Sequence, residues 1–188
     1  MSCRATGIRL TSSGKPAQQD IFERLSKIDY SNLPYRPCAG IMLANREGQV
    51  FVGQRLDAAD SQYPDAWQMP QGGIDQGEKA EAAALRELRE ETGVVTDLVQ
   101  IIGRSTEEYL YDLPDELLGK IWKGKYRGQR QSWFLMRFTG EDDHIDIQTD
   151  QPEFKNWKWT DPQGLPDLIV PFKRDLYRAV LKEFLPLI

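Results

Sequence analysis

The sequence is short of the residues that most often mark a site or a compartment. Among 188 residues there are 2 cysteines and 1 histidine. Cys3 and Cys38 stand far apart and make no disulfide framework, which points to a reducing compartment. No apolar run approaches the roughly 18 residues that span a bilayer, and the N-terminus carries no apolar signal-peptide core. Basic charge is not in excess either. A net charge of −5 does not favour a broad, non-specific grip on nucleic acid, and DNA is not an expected partner. It leaves room for a local basic site that holds one phosphorylated end. Residues 1–19 contain no acid, only Arg4, Arg9 and Lys15. A mitochondrial transit peptide has that composition, and so does a disordered tail. The tail, on a cytoplasmic protein, is the expectation.

What is present is ordinary for one globular domain: 40% hydrophobic and 28% charged residues, with no internal repeat. The expected organisation is an N-terminal extension over 1–34 and a folded domain over 35–188. In the extension, Asp20 caps a short helix carrying Ile21, Phe22, Leu25 and Ile28, and Ser31 to Pro34 links it onward.

The densest pattern lies between Gly72 and Val94. The spacing predicts a helix over Ala80 to Thr92, with good helix formers throughout and Gly93 at a left-handed C-cap. Leu85, Leu88 and Thr92 form one stripe, expected to face a core. Glu87, Glu90 and Glu91 form another, because spacings of three and four set them side by side. Ala80, Ala83 and Ala84 lie on the acidic face and leave room for the Gly72–Gly77 loop, a metal or a ligand to lie across it. Each like-charged pair costs about 0.2–0.5 kcal/mol on an exposed helix. A hard divalent cation among the carboxylates relieves that repulsion. Oxygen ligands suit Mg²⁺ or Mn²⁺, and the lack of a nearby Cys or His argues against zinc.

Around this helix the sequence reads as strands. Ala39 to Ala44 and Gln49 to Val52 form a hairpin across the Asn45–Gly48 turn. Leu56 to Pro64 is a polar loop. Leu98 to Ile102, Ser132 to Phe138 and Phe154 to Trp159 are further strands, and Pro171 opens a last helix with Phe172, Leu176, Val180, Leu181 and Phe184 on one side. His144 sits in a polar turn and is read as structural. Strands interleaved with one central and one terminal helix predict an α/β fold, a mixed β-sheet between helical layers. Gly119 to Gln131 carries Lys120, Lys123, Lys125, Arg127 and Arg130 with Trp122 and Tyr126 and no acid. Such a segment suits phosphates with a stacked base, or is an exposed loop with some aromatic packing.

Gly72, Glu78, Arg86, Glu87, Leu88, Glu90, Glu91, Gly93 and Val94 fill every specified position of the Nudix box, G-x5-E-x7-R-E-U-x-E-E-x-G-U, with U a bulky aliphatic. The chain therefore resembles the Nudix hydrolases. Tyr35-Arg36-Pro37, Trp67 to Ile74 (including Gly73), Trp133-Phe134-Leu135, Pro152-Glu153-Phe154 and Phe172 to Asp175 resemble one group among them, the bacterial RNA pyrophosphohydrolases, which overlaps with the diadenosine-polyphosphate hydrolases. The resemblance implies an α/β/α sandwich and metal-dependent hydrolysis of a phosphoanhydride, with Mg²⁺ or another divalent cation held by Glu87, Glu90 and Glu91. It adds a backbone carbonyl near Gln71–Gly72 and brings Glu153 near the metals. Glu87 or Glu153 is the expected general base. Arg86 is expected to orient the glutamates, Glu78 to brace the loop, Gly72 to allow close approach and Gly93 to cap the helix. Arg36 and Arg55 are candidates for phosphate contacts, beside Lys125 and Arg130 of the basic segment. Val170 and Phe172 match positions that hold a base in RNA-bound relatives, or else they pack the core. The expected reaction removes pyrophosphate from the 5′-triphosphate end of RNA and so initiates mRNA decay. The alternatives are hydrolysis of diadenosine tetraphosphate and related dinucleoside polyphosphates, or a non-catalytic Nudix module that binds nucleotide or RNA. The last is disfavoured because such modules usually lose box glutamates.

Overall fold

A computed structural model describes residues 30–56 and 63–188. The helix expected after Asp20, the N-terminal tail and most of the 56–64 loop lie outside the described residues. The chain divides into two units, Met1–Asn32 and Leu33–Ile188. The described part of the first is a 3-10 turn at Tyr30–Asn32. The second is organised on one eight-stranded sheet.

Strand β1 (Tyr35–Ala44) lies at the centre, and its apolar run from Ala39 onward is buried on both faces, as a continuous apolar strand requires. It pairs antiparallel with β2 (Val50–Arg55) and β4 (Gln71–Gly73) and parallel with β7 (Gly128–Phe138). Beyond β2 lie β3 (Trp67–Gln68) and β8 (Phe154–Thr160). Strands β5 (Val99–Arg104) and β6 (Tyr109–Asp112) pair antiparallel with β7. One parallel pairing among antiparallel ones makes the sheet mixed, as the sequence predicts.

The period-two alternation of β1 and β7 sorts two cores onto two faces. Ala39, Ile41, Leu43, Phe134 and Met136 lie in one core with Ala83, Ala84 and Leu88 of α1 (Ala80–Thr92). Met42, Ala44, Trp133 and Leu135 lie in the other, with Leu165 of α2 (Leu165–Leu168) and Leu176, Tyr177, Val180, Leu181 and Phe184 of α3 (Arg174–Phe184). Gly93 ends α1 at φ 72, the left-handed conformation expected of a glycine C-cap. His144 closes a 3-10 turn at Asp142–His144, where its Nδ1 accepts from the Glu141 N–H at 3.1 Å. Among the described residues no helix is long and apolar enough to cross a membrane.

Three readings of local structure need correction. The buried face of α1 is not the Leu85–Leu88–Thr92 stripe alone. Leu85 is half-buried, while Glu87 and Glu91 are buried beside Ala83, Ala84, Leu88 and Thr92. The two faces merge because the small alanines bring the helix close to the sheet. Strand β7 begins at Gly128 rather than Ser132, since its first residues include buried glutamines that read as loop. The last helix starts at Arg174, after a 3-10 turn at Pro171–Lys173, so Phe172 is not on the helical stripe. The short strands β3, β4 and β6 are too brief to show an alternation.

A hydrogen bond ties α3 to the segment between β3 and β4 within one core. The Met69 N–H donates to the buried Tyr177 hydroxyl at 2.9 Å, and the Tyr177 ring meets Trp133 edge-on at 5.8 Å. Tyr177→Phe keeps the ring and strands a buried amide. It is expected to lower stability by about 1–3 kcal/mol, read as a fall in the urea midpoint with an unchanged slope.

Candidate active site

The site forms where β4 lies across the box helix, and two successive glycines make it possible. A Cβ on Gly72 would overlap the Glu87 carboxylate, and a Cβ on Gly73 would overlap the Arg36 guanidinium. Successive strand residues face opposite sides of the sheet, so Gly72 admits the helix on one side and Gly73 admits a cation on the other. Strand β4 thus meets the helix at Glu87, while Ala83 and Ala84 share a core with Ala39, Ile41 and Leu43 of β1.

Arg86 ties the box together. Its Nε and Nη2 each donate to Glu78 at 2.9 Å, and Nη2 also donates to the Gly73 carbonyl at 2.8 Å. Its Nη1 donates to Glu87 at 2.8 Å and to Glu90 at 3.1 Å. Glu78 in turn accepts from the Asp75 N–H at 2.9 Å, closing the loop that enters the helix. The Arg86 guanidinium holds the Glu78 carboxyl down to about 2. Arg86 thus contacts Glu78, Glu87 and Glu90 at once, and Glu78 joins the Asp75 backbone to the helix.

The other carboxylates are less well compensated. Burial pushes Glu87 up, against the pull of Arg86. Glu91 is 1% exposed, and burial pushes it well up, with Glu153 and Glu87 adding to the shift. One Glu91 oxygen accepts from the Gln71 N–H at 3.2 Å, while the other, Oε1, is buried with no hydrogen-bond partner. Glu153 comes in from the turn before β8 and pairs with Arg55 at 3.2 Å. A cleft of about 740 Å³ opens here, with Arg86, Glu87, Glu90, Glu91, Gln151 and Glu153 in its lining. The structure thus brings Glu87, Glu90, Glu91, Glu153, Arg86 and Gly72 together.

The cations divide. The Arg36 guanidinium lies against Gly73 and over the Trp122 ring, 5.6 Å from its centroid. Arg55 holds Glu153. Lys125 is exposed, and Arg130 leaves β7 on the sheet face opposite Gln129 and Gln131, half-exposed and paired with Glu108 at 3.3 Å. Those two are not gathered at the box. Val170 and Phe172 are partly buried against the α3-side core, with the Phe172 ring 5.8 Å from Tyr111.

Two residues of the neighbourhood have no assigned role in the sequence reading. Lys173 is 7% exposed, lies over the Tyr111 ring at 5.1 Å and feels Arg55, Glu91 and Glu153. The available signal was a lysine inside an otherwise apolar turn after Pro171. Cys38 is brought near Glu87 by the β1–β4 pairing, although no Cys is near in sequence. Burial raises its thiol to about 11.

The Nudix domain profile matches residues 34–180. The chain belongs to the Nudix hydrolase family. It is 65% identical over 161 residues to the RNA pyrophosphohydrolase of Sphingopyxis alaskensis, covering 86% of this chain and 99% of that protein. It is 61% identical over 160 residues to the RNA pyrophosphohydrolase of Novosphingobium aromaticivorans, covering 85% and 98%. Among solved structures, the E. coli dihydroneopterin triphosphate pyrophosphohydrolase has the same fold, with TM-score 0.61 and 22% identity over 80% of this chain and 99% of that one.

Nudix hydrolases act with divalent cations, and the residues here fit one. The unpartnered Glu91 oxygen is a buried acceptor in want of a positive partner, and the acidic side chains around it are carboxylates, as a hard cation prefers. Among the described residues no group of three or more Asp, Glu, His or Cys side chains is placed to hold a metal ion by itself. An open set suits an ion that shares its shell with water and substrate phosphates.

Lys173 gives a test of this electrostatic environment. Burial first, and then Arg55, push its ammonium from 10.5 down to about 8. Between those values the unfolded chain binds the extra proton, so stability rises with pH through that window. Below it both states are charged and the fold carries the whole burial cost. Lys173→Met is expected to be more stable than the parent at pH 7, by roughly 3 kcal/mol, with the difference shrinking towards pH 10. Urea titrations at both pH values check this, and a constant difference would refute it.

Proposed function

We propose that this chain removes pyrophosphate from the 5′-triphosphate end of RNA, with Mg²⁺ as its working cation. The observation that carries the chemistry is the pair of buried carboxylates, Glu87 and Glu91, with an unpartnered Glu91 oxygen and the half-exposed Glu153 acting on it, and with Arg36, Arg55 and Lys173 nearby. The choice of RNA rests on the relatives named above, which the chain matches over almost their whole length.

In this reading Glu87, Glu90 and Glu91 hold the cation, with a backbone carbonyl near Gln71–Gly72 and Glu153 beside them. The cation supplies charge neutralisation to the anhydride and lowers the pKa of the attacking water. Arg86 keeps Glu87 and Glu90 turned the same way. Glu87 and Glu153 are the carboxylates available to take the proton of the attacking water. Water adds to phosphorus, the P–O anhydride bond breaks, and pyrophosphate leaves a 5′-monophosphorylated end. Arg36, Arg55 and Lys173 meet the phosphates. Val170 and Phe172 hold a base beside Tyr111, and Lys125 and Arg130 follow the RNA strand outward. Residues 35–188 are the catalytic domain, residues 1–34 lie outside it, and the cytoplasm is the working compartment.

The test is release of product with Mg²⁺ from a 5′-triphosphorylated oligoribonucleotide and, at equal concentration, from diadenosine tetraphosphate. Faster pyrophosphate release from RNA supports the reading, and preference for the dinucleotide moves it to dinucleoside polyphosphates. Glu91→Gln is expected to lose at least about 100-fold in kcat, the scale of one lost electrostatic partner in the transition state, with an unchanged far-UV circular dichroism spectrum. Near-normal turnover by the folded variant would sink the cation assignment.

A further inference from the structure

Strand β4 has three residues, Gln71–Gly73, and pairs with β1. It is nonetheless the wall that faces the box helix. The Gln71 N–H serves Glu91 at 3.2 Å, Gly72 lies against Glu87, and the Gly73 carbonyl accepts from Arg86 at 2.8 Å. Two of its residues have no side chain with which to anchor it. The one side chain it has, Gln71, turns to the opposite face of the sheet, where its Oε1 accepts from Gln131 Nε2 at 3.0 Å.

Gln131 is itself fixed. It is 0% exposed, its Oε1 accepts from the Trp133 indole N–H at 3.0 Å, and its Nε2 also donates to Gln129 Oε1 at 2.7 Å. Gln129 Oε1 accepts in addition from the Tyr111 hydroxyl at 2.7 Å. An indole nitrogen only donates, so Trp133 decides which end of the Gln131 amide points at β4. Buried amides are costly unless fully bonded, yet three glutamines occupy this line, where the next inward residues on the same face are Trp133 and Leu135.

We propose that Gln131 is a positioning residue for the cation site. Its amide, keyed by Trp133, tethers Gln71 and so sets where β4 stands against the box helix and how the Glu87 and Glu91 carboxylates are presented. The inference rests on the cation reading given above.

The test cuts the tether from both ends and compares it with a neighbouring cut. Gln131→Met and Gln71→Met remove the bond, and Gln129→Met breaks the same network without touching Gln71. Mn²⁺ affinity is measured by calorimetry without substrate, and kcat and KM with the triphosphorylated oligoribonucleotide. The tether variants are expected to bind Mn²⁺ about 10-fold more weakly and to lose about 10-fold in kcat, the scale of removing an outer-shell partner, with little change in KM. The double variant should be no worse than Gln131→Met, since both cut one bond. Gln129→Met should lose stability but bind Mn²⁺ like the parent. Folded tether variants with parental Mn²⁺ affinity overturn the proposal, as do losses that multiply in the double variant or an equal loss in Gln129→Met. Failure of both tether variants to fold, with Gln129→Met folded, assigns the bond to stability and also overturns it. A parent that binds no Mn²⁺ instead overturns the cation reading itself.

Discussion

Arg86 sits where four acceptors converge, and the arrangement of the site follows from that one guanidinium. Its fork reaches Glu78 with two donors, the Gly73 carbonyl with one, and Glu87 and Glu90 with the remaining edge. A lysine has no rigid fork and could not hold a loop acid, a strand carbonyl and two helix acids at once. Through Glu78 the loop before the helix is fixed, through Gly73 the short strand β4 is fixed, and through Glu87 and Glu90 the acidic face is given its direction. The guanidinium stays charged throughout, so the frame lasts as long as the carboxylates it holds remain ionised.

The frame leaves a deliberate imbalance. Arg86 answers Glu78 fully and Glu87 and Glu90 in part, but Glu91 faces Glu87 and Glu153 with a single N–H and a bare oxygen. Across the sheet the opposite imbalance holds, with a buried lysine, Lys173, pushed to about 8 near Arg55. Folding alone gains nothing from burying such groups, since desolvation opposes both. A polyanion bound with a divalent cation answers both sides at once. The site is therefore built against its own stability in the direction that its proposed substrate would relieve.

Much of this was legible in the sequence. The helix over Ala80 to Thr92, its glycine cap and the convergence of Glu87, Glu90 and Glu91 follow from local spacing on one helix, while the orienting role of Arg86 was implied by the resemblance to the Nudix hydrolases. The mixed sheet and its central strands follow from the apolar runs at Ala39 and Trp133. What failed to show was the burial of Glu87 and Glu91, because a helical wheel cannot say that two alanines will let a strand approach. The extension of β7 back to Gly128 was hidden because Gln129 and Gln131 look like loop residues until their partners, Tyr111, Gln71 and Trp133, are in place.

The sequence by itself determined the local arrangement of the box, because it is a set of residues at fixed spacing on one helix and the loop entering it, and helical geometry is local. Only the tertiary structure decided the electrostatics. Arg36, Cys38, Glu153 and Lys173 reach the box from β1, from the turn before β8 and from the turn before α3. Their distances from Glu87 and Glu91 are set by sheet pairing, which no local pattern encodes. Burial, which controls how strongly those charges act on one another, exists only once both cores have closed over the sheet.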